Sequence, residues 1–234
     1  MPPATVQSVG GIWHASLTSV PGGAVTLYVA EDGGMRVTDS GPAFGAGAAV
    51  VNGVDDVSGS YQVRSIQSSP AVPPAPNRGC TLDGKVVQRV SMRLVIRCTD
   101  TAGATTEQNS MFSYDAAYEL PSSLEAIAGN YTLPFAPQTN SLTIAKDGTV
   151  FGVYHNGQQC TVNGRVELID ARFDLYRFEL TFSSCQIFQQ FEGQTLTGFA
   201  ARNLASLTAN SFLLLITGVI GGRLEFISVA YQPV

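Results

Sequence analysis

The chain has 234 residues, of which 44% are hydrophobic and 13% charged, and its formal net charge is −5. Its 13 Lys and Arg residues are scattered singly, so no basic stripe is available to neutralise phosphates, which excludes a nucleic-acid partner. The longest apolar run, residues 212–220, is interrupted by Thr217 and Gly218. Because a membrane-spanning helix needs roughly 20 apolar residues, we predict no transmembrane span.

The sequence contains an internal repeat. TVQSVGGIW near the start matches SLEAIAGNY in the middle of the chain, and the offset of 118 residues also relates Trp13 to Tyr131. A repeat of this length indicates two domains of similar size. We predict a first domain over residues 1–118 and a second over residues 119–234, with the boundary within 117–122.

The first copy begins with a weak helical turn over residues 5–11 and continues as short strands rich in Val, Ile, Thr, Phe and Tyr. Such segments, separated by turn residues, predict β-structure. The expected strands are 12–17, 24–31, 35–39, 48–52, 60–66, 80–87, 93–98 and 108–114. Compared with the second copy, residues 41–79 form a long excursion. Its Pro-rich part, 69–77, is predicted to be an exposed loop, because proline cannot donate ladder hydrogen bonds.

The second copy opens with Ser122 and Glu125 at the spacing of a capping box, followed by Gly129 as a helix stop. Its expected strands are 130–133, 141–145, 149–155, 160–169, 175–184, 195–202, 211–219 and 223–231. Asp-Gly pairs at 32–33 and 147–148 predict two-residue hairpin turns at matching places; calcium ligands are the alternative, but the other oxygen ligands are missing.

The predicted fold class is all-β. We expect two tandem small antiparallel meander barrels of about eight strands, each with a short helical turn at its start and one disulfide. Closure of each sheet removes exposed strand edges. A half-open barrel or a sandwich remains the alternative.

Both copies contain the motif C-T-apolar-Asp/Asn-G-basic-V, which begins at Cys80 and at Cys160, and each has a second cysteine downstream, Cys98 and Cys185. A hairpin can bring such positions opposite each other. The alternative is a metal site, but the chain has no C-x-x-C and only two histidines. We therefore predict the disulfides Cys80–Cys98 and Cys160–Cys185, and no metal or other cofactor.

Catalytic motifs are missing from the sequence. It has no G-x-S-x-G, no H-E-x-x-H and no glycine-rich phosphate loop. His155 adjoins a turn, and His14 follows Trp13 on a strand, so the two neighbours point to opposite faces. A pair of carboxylates could hydrolyse glycosides if two of them converged; the candidates are Glu167, Asp170, Asp174, Glu179, Glu192 and Glu225. We predict that the chain is not an enzyme.

Aromatic residues give the remaining candidates. Trp13 and Tyr131 are expected to plug one end of each barrel, with a ligand-lining role as the alternative. The segment CQIFQQFEG follows no strand or helix period, and exposed aromatics are typical contact residues. The candidate partner-binding residues are Gln186, Phe188, Gln189 and Phe191, together with the acidic pair Asp55 and Asp56. Alternatively, Phe188 and Phe191 cap the barrel end, and the acidic pair belongs to a solvated loop.

The combination of SSLEAIAGNY, SLTIAKDGTVFG, CTVNGRV, YRFELTFSSC and TGFA resembles a group of bacterial envelope proteins, commonly predicted lipoproteins, which carry one or two such units and mostly lack an assigned function. The resemblance covers the second copy and, more loosely, the first. Its motifs are structural, so it transfers no catalytic residues. The broader resemblance to lipocalin-like barrels implies binding at the loops or the barrel mouth, by analogy of fold.

Structural disulfides persist in oxidising compartments, so we expect a periplasmic or outer-membrane-anchored protein of a Gram-negative bacterium. Met-Pro-Pro is no signal peptide; we expect that an initiator Met replaces an export signal, with which an N-terminal lipid anchor could have been removed. The first functional hypothesis is a protein-binding module, most concretely an immunity protein or inhibitor against a secreted antibacterial effector. The alternative is a lipocalin-like carrier of a small apolar ligand.

Overall fold

The computed structural model describes residues 7–16, 24–39, 43–65, 77–132, 141–155, 159–185, 189–202, 212–221 and 223–234. The chain divides into two compact units, Met1–Ala116 and Ala117–Val234. Each unit is a closed antiparallel barrel of eight strands in sequential order, which confirms the predicted fold class. Among the described residues, no helix has the length and apolar character needed to cross a membrane.

The first barrel closes where its first strand pairs with its last, with Trp13 opposite Tyr114. Its eight strands are β1 (Gly11–Ser16), β2 (Ala24–Val29), β3 (Gly34–Asp39), β4 (Ala43–Asn52), β5 (Asp56–Ser65), β6 (Arg78–Val87), β7 (Ser91–Thr99) and β8 (Thr105–Tyr114). Residues 43–65, within the predicted 41–79 excursion, supply β4 and β5 and therefore belong to the barrel wall. Residues 66–76, which include most of the Pro-rich stretch, lie outside the described residues.

The second barrel closes between its last strand and its first, with Pro233 opposite Tyr131. Its strands are β9 (Gly129–Thr132), β10 (Ser141–Ile144), β11 (Thr149–His155), β12 (Gln159–Leu168), β13 (Tyr176–Ser183), β14 (Thr195–Arg202), β15 (Phe212–Ile220) and β16 (Arg223–Pro233). The alternation of apolar and polar residues in β13 places Phe178, Leu180 and Phe182 inside the barrel, where each is buried. The period-two pattern of the sequence is the cause of this arrangement.

The repeated aromatic residues occupy the same place in both barrels. Trp13 is fully buried and its Nε1 donates to the carbonyl of Val9 at 2.9 Å. The hydroxyl of Tyr131, also buried, donates to the carbonyl of Ile127 at 2.8 Å. In both cases the acceptor lies four residues upstream, so each ring packs inside its barrel and holds the incoming chain. These contacts support the plug interpretation.

The opening helix occurs at the start of the second unit. It is α1 (Leu124–Ile127), and its N-cap is Ser123, whose Oγ accepts the N–H of Ala126 at 3.1 Å. The predicted capping box from Ser122 is therefore wrong by one residue; the Ser122 hydroxyl instead donates to the carbonyl of Asp170 at 3.2 Å. In the first unit, residues 7–10 are not helical, and residues 5 and 6 lie outside the described residues.

The two Asp-Gly pairs lie in equivalent turns, between the second and third strands of each barrel. In the first, the N–H of residue 33 donates to the carbonyl of Ala30 at 2.8 Å, and in the second, the N–H of residue 148 donates to Ala145 at 3.0 Å. Both glycines have a left-handed φ, +88° and +85°. Each connection spans four residues, a turn followed by a left-handed glycine, so the predicted two-residue length is wrong. The aspartates accept backbone N–H groups within the turns, as turn-forming residues do.

The predicted cysteine pairs are confirmed, since Cys80 is bonded to Cys98 and Cys160 to Cys185. Their places in the two barrels differ. Counted from the strand with the opening aromatic, the first bridge joins the sixth and seventh strands, β6 and β7. The second bridge joins the fourth strand, β12, to Cys185, which lies two residues after the end of the fifth, β13. The shared cysteine motif therefore marks a hairpin and not one strand position.

The segment that precedes α1 packs onto the second barrel. Tyr118 is buried and stacks on Phe173 with ring centroids 4.8 Å apart. Asp174, which is 1% exposed, accepts hydrogen bonds from the Arg202 backbone N–H at 2.9 Å and from its Nε at 2.7 Å. The Nη2 of Arg202 also donates to the carbonyl of Pro121 at 2.8 Å. This buried ion pair fixes the entry of the chain into the second unit.

Candidate functional site

The two barrels differ at the end opposite their opening aromatic. In the second barrel, the inward positions near this end are apolar or cystine residues: Tyr154, Cys160, Phe182 and Leu196. In the first barrel, the alternation along the strands turns polar residues inward at the corresponding end. These residues line a cavity of about 650 Å³ and are Asp39, Arg78, Thr106, Gln108 and Ser110.

We call this cavity the first-barrel mouth. Besides the inward polar residues, its wall contains Cys98 of the first disulfide and Glu107 and Asn109 of β8. The apolar part of its wall is formed by Val25, Val37, Ala43, Tyr61, Val63 and Ile96. Its volume falls within the range of about 300–1,000 Å³ that is usual for ligand pockets. The mouth is therefore large enough for a side chain, a short loop or a small molecule.

Below the mouth, the first barrel is filled by side chains. The residues that form this floor are at most 1% exposed: Leu27, Met35, Leu82, Leu94 and Phe112. Filled interiors are usual for eight-stranded barrels. A bound group can therefore enter the mouth but cannot pass deeper into the barrel.

The two carboxylates at the mouth are already occupied. Asp39 accepts the backbone N–H of Ala43 at 2.9 Å, and Glu107 accepts the Nε of Arg97 at 2.8 Å. Arg97 also lies 3.5 Å from Asp83, so the rim outside the mouth carries a small network of charges. Neither carboxylate forms an ion pair with the inward-facing guanidinium of Arg78 among the described residues.

The corresponding end of the second barrel is closed by Phe191. This residue lies in the 3-10 helix Gln189–Phe191, is 7% exposed and contacts the ring of Phe182 at 5.7 Å between centroids. The structure thus supports the capping interpretation of Phe191, which is not accessible as a contact residue. Gln189 is exposed beside it. The other two candidates of this segment, Gln186 and Phe188, lie outside the described residues.

The acidic pair lies at the end of the barrel that Trp13 fills: Asp55 is in the turn after β4, and Asp56 is the first residue of β5. Both carboxylates contact the Nζ of Lys85, at 2.9 and 2.8 Å. These hydrogen bonds raise the pKa of Lys85 above its usual value. The acidic pair therefore forms a surface ion cluster and is not part of the mouth.

His14 forms a surface network that the sequence does not predict. Its Nδ1 lies 2.9 Å from Thr26 Oγ1, and its Nε2 lies 3.0 Å from Asp115 Oδ2. The order hydroxyl, imidazole, carboxylate matches that of a nucleophilic triad. The imidazole is about half exposed on the outer barrel face, and none of these residues lines the mouth. The network therefore lacks the enclosed substrate position that such catalysis requires.

The carboxylates considered for glycoside hydrolysis are held mainly by neighbouring donors. Asp170 binds Arg172, Asp174 binds Arg202, and Glu192 accepts the backbone N–H groups of residues 184 and 185. Glu167 lies 3.3 Å from Arg165. Among the residues that the structure describes, no group of three or more His, Cys, Asp or Glu side chains could hold a metal ion.

The mouth was not among the sequence-based candidates, although the sequence contains a signal for it. The predicted sixth strand began at Cys80, two residues too late. Extending its alternation backwards from Leu82 through Cys80 places Arg78 on the inner face. A charged residue at an inward position of a barrel strand is a mark of function, because burial of an unpaired charge is costly.

Comparison with known proteins gives one weak likeness. No protein-family model matches the chain, and no curated protein matches its sequence. Among solved structures, the chain is similar to Aeromonas veronii immune modulator A, with a TM-score of 0.37 and 10% sequence identity, over 99% of this chain and 96% of that chain. The case for a function therefore depends on the residues of this chain.

Proposed function

We propose that this chain is a non-enzymatic, protein-binding module of the bacterial envelope, and that its first-barrel mouth receives part of the partner. The observation that carries the proposal is the difference between the two barrels. One end of the second barrel is capped by Phe191, whereas the described residues at the corresponding end of the first line a cavity with inward polar side chains. Two barrels of the same strand order thus present different surfaces at this end.

The polar inner wall of the mouth needs an explanation other than stability. Ser110 is 7% exposed and accepts a hydrogen bond from Gln108 Nε2 at 3.1 Å, on a strand whose next inward residue, Phe112, is fully buried. An apolar wall would serve the barrel equally well, as the second barrel demonstrates. Departures from the stabilising pattern concentrate at functional sites. The polar residues of the mouth are therefore best explained by recognition.

The shape of the mouth favours a protein partner over a small apolar ligand. Pockets for small molecules bury about 70–90% of the ligand surface. The mouth has a filled floor and a charged rim, which includes Arg97 and Glu107. A mouth with both polar and apolar walls above a filled floor fits a protruding loop or side chain of another protein, with the exposed rim in contact around it.

Two further features support the finer proposal of an immunity protein or inhibitor of a secreted antibacterial effector. Both disulfides lie near the barrel end opposite the opening aromatic, where the two barrels differ. Such bridges are usual in oxidising compartments. The net charge of −5 attracts a basic partner at long range. We place the protein in the periplasm or at the outer membrane, where a peripheral lipid anchor would hold it.

The alternative is a lipocalin-like carrier of a small apolar ligand. It is favoured by the apolar part of the mouth wall, which includes Val25, Val63 and Ile96. A fluorescent fatty acid tests this alternative directly. Saturable, displaceable fluorescence in the micromolar range would favour a carrier over a protein-binding module.

The proposal is tested with a matched pair of tryptophan substitutions on β8. Thr106→Trp fills the mouth, whereas Thr105→Trp places the same ring on the outer face of the same strand; both positions are exposed. Oxidised full-length chains are immobilised and exposed to envelope extract and culture supernatant. We expect a protein that binds the wild type and Thr105→Trp but not Thr106→Trp, and whose gene neighbours that of this chain. Equal capture by all three chains, or no capture, would refute the proposal.

A further inference from the structure

Arg78 is the unusual residue of the first-barrel mouth. It is opposite Val63 in the ladder between β5 and β6 and shares the inner face with Cys80 and Leu82. Its side chain is half-buried and lines the cavity. Within the described parts of the chain, its guanidinium makes no hydrogen bond or ion pair. A half-buried guanidinium that has no protein partner is free to form charge-assisted hydrogen bonds with an anion that enters the mouth.

Tyr61 provides a second donor beside it. This residue is opposite Cys80 and two residues from Val63 on β5, so it is a diagonal neighbour of Arg78 on the inner face. Its side chain is 8% exposed, and its hydroxyl contacts the bonded sulfur of Cys98 at 4.0 Å. A disulfide sulfur at this distance is a poor acceptor, so the O–H retains its capacity to donate.

The protonation of Tyr61 is compatible with this role. Burial raises its pKa to about 12, although the nearby positive charge of Arg78 opposes the shift. The hydroxyl therefore keeps its proton at neutral pH. The mouth thus offers one fixed cation and one O–H group to the same small volume.

Among the described residues, neither acidic group of the mouth forms an ion pair with Arg78. Asp39 accepts from the backbone of Ala43, and Glu107 is bound to Arg97 on the outer rim. Gln108 donates to Ser110 and does not supply a charge. Among the described residues of the mouth, the guanidinium of Arg78 therefore has no anion paired with it.

We infer that the first-barrel mouth recognises a carboxylate on the protein partner, held by the guanidinium of Arg78 and the hydroxyl of Tyr61. This inference rests on the proposed function and specifies the group that enters the mouth. Arginine binds a carboxylate through parallel charge-assisted hydrogen bonds, and a tyrosine hydroxyl can donate to the remaining lone pair. The valines around the two donors would exclude water and strengthen both bonds.

The test uses two peptides that differ in one charge: acetyl-Gly-Leu-Glu-Leu-Gly-amide and its Gln counterpart. Binding to the ¹⁵N-labelled full chain is followed through the backbone NMR shifts of the mouth residues. We expect millimolar binding of the Glu peptide, on the order of 10-fold tighter than that of the Gln peptide. Arg78→Met should abolish this difference, and Tyr61→Phe should reduce it. The control, Arg93→Met, makes the same change at an exposed outward position of β7 and should keep the preference.

Arg78→Lys guards against misfolding as the explanation, because it retains a charge and should keep part of the preference. Equal binding of the two peptides, or no shifts up to about 10 mM peptide, would overturn the inference. Decanoate is the third probe: Arg78-dependent binding of decanoate without binding of the Glu peptide would overturn the assignment to a protein carboxylate. If Thr106→Trp abolishes capture of the partner but Arg78→Met does not, the inference fails while the proposed function stands. If no partner is captured, the proposed function itself fails.

Discussion

Cys80 and Cys160 begin the same seven-residue motif but lie on different strands, the sixth strand of the first barrel and the fourth of the second. Both hairpins contain a glycine where the neighbouring strand passes closely, since a Cβ at Gly84 would lie 1.9 Å from the Arg93 carbonyl oxygen and one at Gly164 would lie 2.0 Å from that of Glu179. The repeated unit is thus a local hairpin, which a barrel of eight strands accepts at more than one place.

This placement leads to a prediction about the two bridges. The loops that they close span 18 and 25 residues, so each bridge should stabilise its barrel by about 3 kcal/mol through the entropy of the unfolded chain. Replacing Cys80 and Cys98 by Ala, or Cys160 and Cys185 by Ala, should lower the free energy of unfolding by similar amounts. Urea unfolding of each double variant measures this loss. A change confined to one of the two variants would contradict the entropic explanation.

Most of the fold can be predicted from local patterns. The strands and their inward faces follow from alternation, and the cysteine pairs follow from hairpin spacing. The position of a hairpin within the barrel cannot be obtained in this way, because it depends on which strands close the sheet. Equating Cys80 with Cys160 therefore made residues 41–79 look like an excursion, although 43–65 form two full strands.

The glycines that precede the opening aromatics provide an internal comparison. Gly11 and Gly129 share a positive φ, +158° and +155°. A Cβ at Gly11 would lie 2.7 Å from Trp13 Nε1 and 2.8 Å from the ring of Tyr114, whereas one at Gly129 would be no closer than 3.7 Å to Tyr131. Gly11→Ala should therefore cost about 2 kcal/mol through overpacking, and Gly129→Ala about 1 kcal/mol through the backbone alone. Thermal unfolding of both variants tests whether Gly11→Ala loses more stability than Gly129→Ala. An equal loss of stability in the two variants would contradict this prediction.

Substitutions at Phe191 and Gln189 distinguish the two interpretations of the segment CQIFQQFEG, which are contact with a partner and capping of the barrel end. Because Phe191 is buried against Phe182, Phe191→Ala should lower the free energy of unfolding by about 3 kcal/mol. The exposed side chain of Gln189 should contribute less than about 0.5 kcal/mol, so Gln189→Ala should unfold like the wild type. Denaturant titration of the two variants measures both values. A Phe191→Ala chain of unchanged stability would restore this residue as a contact candidate.

Arg78 illustrates why sites are harder to predict than folds. An inward charged residue breaks the alternation from which the strand is recognised, so the pattern starts the strand at the first residue that obeys it, Cys80. The inward charge that interrupts the apolar alternation is therefore itself the sequence feature that indicates the candidate site. Phe191 shows the opposite case, since an aromatic residue outside any regular period looks exposed until the barrel end that it covers is known.

Two aspartates in the β12–β13 connection should affect stability with opposite dependence on pH. Burial raises the pKa of Asp174 above 3.8, against the opposing charge and hydrogen bonds of Arg202. Hydrogen bonds from Arg172 lower the pKa of Asp170 from 3.8 to about 2. A raised folded-state pKa favours the protonated native form, so the contribution of Asp174 is lost as pH rises above 3.8. The contribution of Asp170 is present above pH 3.8 and is lost as pH falls towards 2.

Asp174→Asn and Asp170→Asn remove one titration each and serve as controls for each other. As pH rises from about 3.8 towards neutral, the stability of Asp174→Asn should increase relative to the wild type. As pH rises from about 2 to 3.8, the stability of Asp170→Asn should decrease relative to the wild type, so the two slopes have opposite signs. Urea unfolding of the three chains across this range gives both slopes. Slopes of the same sign would mean that Arg202 outweighs the burial of Asp174, and that the ion pair stabilises the second barrel at neutral pH more than a neutral side chain would.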